Sequence, residues 1–99
     1  MEIRPEVNQM YRGILKKFPK AEISISEPVN RKTGHWWVDS SYKGISVEAE
    51  FRPASGSWGV SLVEHPTKEI DIAFGQGHDE VFKDGSEALR RVLELLKER

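Results

Sequence analysis

HWWVDSSYKGISVEAEFR, residues 35–52, is the stretch on which the fold turns. In its second half Ile45, Val47, Ala49 and Phe51 alternate with Ser46, Glu48, Glu50 and Arg52. A period of two sends the four apolar side chains to one face of a strand and the four polar ones to the other. The first half, His35 to Tyr42, alternates in the same way, with Trp36, Val38 and Tyr42 on one face. Lys43-Gly44 between the halves has the length of a two-residue turn, and Gly44 is free to take positive φ. The stretch therefore predicts a β-hairpin with one face in a core.

Downstream, Trp58, Val60 and Leu62 continue the alternation after the turn chemistry of residues 53–57 (PASGS). His65 to Lys68 (HPTK) predicts another turn, and Ile70, Ile72 and Phe74 a further strand that ends at Gly75-Gln76-Gly77. Upstream, Ala21, Ile23 and Ile25 alternate with Glu22, Ser24 and Ser26, and residues 27–34 (EPVNRKTG) form a loop with a basic tip at Arg31 and Lys32. Both ends of the chain switch to helical spacing. Val7, Met10, Tyr11, Ile14, Leu15 and Phe18 make one stripe, opened by Pro5 and stopped by Pro19. Gly13 inside it costs about 1 kcal/mol relative to Ala, a cost that a close approach to the sheet would explain. At the other end Leu89, Val92, Leu93 and Leu96 make a second stripe, preceded by Asp84 as N-cap with Glu87 three residues on.

The order helix, about five strands, helix has connections too short for parallel crossovers. The expected fold is α+β: a two-layer sandwich in which an antiparallel meander sheet of about five strands carries the N- and C-terminal helices on one face and leaves the other open. Ninety-nine residues without repeat, linker or low-complexity tract form one domain, 1–99. A chain of this size buries roughly 65% of its unfolded surface, enough for a core without staples. With no cysteine, disulfides, thiolate metal sites and cysteine nucleophiles are excluded. There is no apolar run of signal-peptide or membrane-spanning character, so a cytoplasmic location is expected.

The net charge of −1 conceals an asymmetry, because residues 1–43 carry +3 and residues 44–99 carry −4. Taking the apolar faces as core, Asp39, Glu48, Glu50 and Asp71 project from the outer face of the sheet. Trp36 then points inward and Trp37 outward, beside Asp39 and near Ser46 or Glu48 across the hairpin. An exposed indole is a large, rigid contact surface of the kind enriched at binding hot spots. Trp37, Asp39, Glu48, Glu50 and Asp71 are thus the candidate partner-binding residues, and the expected partner is a protein, with a homodimer as an open possibility. A solvated face kept soluble by charge is the competing account of the same residues.

Two other readings compete. In Gly75-Gln76-Gly77-His78-Asp79-Glu80 the imidazole and carboxylates of His78, Asp79 and Glu80 suit a divalent cation, with His35 or His65 as a further ligand, which would make the chain a small metal-dependent enzyme. Adjacent residues rarely converge on one ion, and the segment lacks the spacing and lysine of a phosphate-binding loop. Neither a nucleophile elbow nor a catalytic triad pattern accompanies the serines, so no catalytic residue and no cofactor is assigned. The third reading is nucleic-acid binding through Arg12, Lys16, Lys17, Lys20, Arg31 and Lys32. The aromatic residues nearby alternate as core positions rather than as a stacking platform. The expected function is a small non-catalytic interaction module, of inhibitor, immunity-like or regulatory type, that presents its acidic sheet face.

Overall fold

The computed structural model describes residues 3–30, 32–63 and 80–97. In chain order the elements are α1 (Pro5–Lys17), β1 (Glu22–Ser26), β2 (Trp36–Tyr42), β3 (Ile45–Arg52), β4 (Ser57–Val63), β5 (Glu80–Phe82) and α2 (Gly85–Lys97). The strands form one antiparallel meander in sequence order, β1-β2-β3-β4-β5. This is the expected α+β architecture.

The central hairpin closes on the pair Tyr42↔Ile45, with Lys43 at φ 51° and Gly44 at φ 85°. Two consecutive positive φ values match the right-handed twist of the flanking strands, which is why a two-residue turn fits here. Inward residues of the strands, Trp36, Val38, Val47, Ala49, Phe51, Trp58 and Val60, share one core with Val7, Met10 and Ile14 of α1 and Ala88, Val92, Leu95 and Leu96 of α2. Both helices therefore cover the same face of the sheet. Phe51 and Trp58 lie directly opposite each other with ring centroids 5.1 Å apart, and together they join β3 to β4 within that core.

Several expectations are corrected in detail. The buried stripe of α2 runs through Ala88, Val92, Leu95 and Leu96, while Leu89 and Leu93 are only half-buried. The stripe is turned toward the sheet because Leu89 packs sideways against α1. Gly13 explains this contact: a Cβ there would meet the Leu89 side chain, with Cδ1 3.0 Å away. The glycine thus permits close approach of the two helices, not of helix and sheet. Asp84 caps α2 through a 2.8 Å bond from the Ser86 backbone N–H. Finally, Glu80–Phe82 pairs with β4, although no strand was expected between Gly75-Gln76-Gly77 and Asp84. Three residues are too few to display a period of two. The strand expected at Ile70, Ile72 and Phe74 lies outside the described residues.

Candidate functional site

The outer face is ordered by the closing turn. Counting back from Tyr42↔Ile45, Ser41 faces Ser46, Asp39 faces Glu48, and Trp37 faces Glu50. On the other side of β2, Asp39 lies beside Ser24 and Trp37 beside Ser26. Trp36 is fully buried, as the alternation requires, and Trp37 is half-buried on the opposite face. The cross-strand neighbour of Trp37 is therefore Glu50, rather than Ser46 or Glu48.

Glu50 departs furthest from expectation. It lies on the outer face, as its parity demands, yet is only 5% exposed. Its Oε2 is 2.6 Å from His35 Nδ1, and its Oε1 accepts bonds from Arg52 Nη2 at 3.2 Å and Nε at 3.3 Å. The large Trp37 stands directly across β2, His35 and Arg52 hold the carboxylate, and Gly59 across the β3–β4 ladder leaves room for the side chain to settle onto the sheet. Two cationic or hydrogen-bonding groups then satisfy the desolvated carboxylate. The outer face is consequently not uniformly open, since Ser57 and Gly59 are buried there as well. The sequence contained the signal for this cluster. Glu50 and Arg52 share a face at i, i+2, and counting back from the turn one step beyond Trp36 brings His35 level with Arg52.

Asp39 and Glu48 are different. They sit directly opposite each other, and no basic side chain of the described residues pairs with either. Asp39 Oδ1 is buried without a hydrogen-bond partner. Burial, and secondarily the charge of Glu48, pushes the Asp39 carboxyl above the ordinary aspartate range. The two carboxylates line a shallow groove of about 370 Å³, continued by Glu22, Ser24, Ser41 and Ser46. Ile23, Val47 and Val63 also line it, and the carboxylates among its polar groups make it suited to a side chain with an apolar stem and a cationic end.

The remaining candidates are less well assembled. Asp71, His78 and Asp79 lie outside the described residues. Glu80 accepts a 2.9 Å bond from Arg91 Nε and faces α2. Among the described residues no group of three or more His, Asp or Glu is placed to hold a metal ion. Lys16, Lys17 and Lys20 are exposed around the end of α1, and Lys32 is exposed in the loop before β2, where the Asn30 side chain accepts bonds from the Lys32 and Thr33 backbone N–H groups. No helix of the described residues is long and apolar enough to cross a membrane. Comparison with models of known protein families, with curated proteins and with solved structures yields no match.

Proposed function

We propose that this chain is a small protein-interaction module whose outer sheet face, over β1, β2 and β3, receives a basic segment of a protein partner. The observation that carries the reading is the Asp39–Glu48 pair. Like charges directly opposite each other on adjacent strands are destabilising, and here they come with a buried carboxylate oxygen that has no partner. A local arrangement that costs stability without internal compensation is characteristic of functional surfaces. A lysine or arginine from outside would relieve both costs at once. Glu50, already held by His35 and Arg52, is assigned to the frame of this surface rather than to its contact area, and half-buried Trp37 stands across the hairpin from it.

The test is an array of ten-residue peptides graded in charge, probed with the wild-type chain and with an Asp39→Asn/Glu48→Gln double variant. Basic peptides are expected to be retained by the wild type, with affinity falling as salt rises and about tenfold weaker binding by the variant. Equal retention by the variant, or a preference for acidic peptides, overturns the reading.

A further inference from the structure

In an antiparallel ladder, residues alternate between bonding the strand on one side and bonding the strand on the other. The two-residue turn makes Tyr42↔Ile45 a bonded pair of β2 and β3, so the odd-numbered residues of β2 bond to β1. Their partners Glu22, Ser24 and Ser26 thereby use their main-chain groups on β2. Ile23 and Ile25 aim theirs the other way, and among the described residues no strand lies there. The edge is guarded only by its shortness and by Glu22: Glu22–Ser26 contains no proline, no lysine and no bulge.

Side chains on this strand are arranged for a neighbour. Ile23 and Ile25 are half-buried at the margin of the core, so an added strand would extend the apolar layer over them. On the other face Glu22, Ser24 and Ser26 are exposed, and short Ser24 leaves the groove open from the edge to Asp39. An added strand would lie about 4.8 Å from β1 and about 10 Å from β2, within the combined reach of a lysine or arginine and the Asp39 carboxylate.

We propose that β1 is a β-augmentation site, and that its occupant is an extended segment of another protein alternating apolar with basic residues. Apolar side chains lie against Ile23 and Ile25, and basic ones cross Ser24 to Asp39. A second copy of this chain fits less well, since pairing two β1 edges would bring Glu22 and Asp39 of one copy toward the same carboxylates of the other. This proposal rests on the acidic-face reading and adds the main-chain docking that the reading does not require.

The experiment uses the full chain and a capped nine-residue peptide of alternating Lys and Val, with amide exchange followed residue by residue. Binding is expected to slow exchange at Ile23 and Ile25 at least about tenfold, while a peptide N-methylated at alternate valines, with unchanged charge, gives no such protection. Salt-sensitive binding that leaves Ile23 and Ile25 unprotected, or that tolerates N-methylation, overturns the augmentation proposal and leaves the acidic-face reading standing. Absence of binding by any basic peptide at low salt overturns both. Equal protection by a Glu and Val peptide refutes the assigned charge of the occupant. Concentration-dependent protection of the two amides without peptide assigns the edge to a second copy and overturns the proposal.

Discussion

Asp39 and Glu50 occupy the same face of adjacent strands two register steps apart, and their environments push them to opposite roles. Glu50 is buried and satisfied by His35 and Arg52, whereas Asp39 is partly buried beside Glu48 with one oxygen unsatisfied. The difference has a pH signature. Because the folded-state pKa of Asp39 is raised by burial and then by Glu48, the native state holds this proton more tightly than the unfolded chain. The penalty is absent below the ordinary aspartate value of 3.8, grows as pH rises from there to the higher folded-state value, and is fully present above it. Asp39→Asn is therefore expected to stabilise the chain at pH 7 by up to about 1 kcal/mol. That advantage should disappear below about pH 3.8, as checked by urea denaturation at the two pH values. The same substitution weakens peptide binding, so stability and docking move in opposite directions at this residue. The parity of Trp36 and Trp37 was legible from the alternation. The half-burial of Trp37 and the clasp over Glu50 were not, because both depend on what stands beside them on neighbouring strands.

Among the elements, the β2–β3 hairpin was the most legible, since turn chemistry and two uninterrupted alternations agree within 18 residues, 35–52. The helices were legible as helices but not as packed bodies. A stripe read from spacing identifies a face to within about one residue's rotation, and only the neighbour selects its centre. In α2 that neighbour is α1, whose Gly13 admits Leu89. Gly13→Leu is accordingly expected to cost about 1–3 kcal/mol by overpacking, despite the better helix propensity of leucine. A lowered midpoint in thermal unfolding with unchanged helical content in the folded baseline checks this. A rise in stability would mean that propensity outweighs the contact. Glu80–Phe82 marks the opposite limit, because a three-residue edge strand exists through its pairing with Trp58, Gly59 and Val60 and leaves no periodic trace in its own sequence.

At the scale of the molecule, β3 lies at the centre of the sheet, paired on both sides and covered by the core, while β1 is an edge with exposed outer side chains. Amide exchange in the free chain is expected to rank accordingly. The β3 amides should approach global stability, and Ile23 and Ile25 should exchange at least about a hundredfold faster. Comparable protection of the two strands in dilute, peptide-free solution would contradict the edge assignment on which the docking proposal stands. The charge asymmetry also takes its spatial form here. The −4 of residues 44–99 does not spread evenly over an open face, because Glu50 and Glu80 are engaged by arginines while Glu48 meets Asp39 from the other half of the chain. Periodicity alone was enough for both helices, for β1 to β4 with the side-chain face of their residues, and for the layer arrangement, since these follow from local periods of two and 3.6 and from short connections; β5 was not among them. Only the assembled fold settles which carboxylates are engaged by basic groups, which face a like charge, and which strand edge has no neighbour among the described residues. These are properties of residues brought together across strands, and burial, not spacing along the chain, sets their energies.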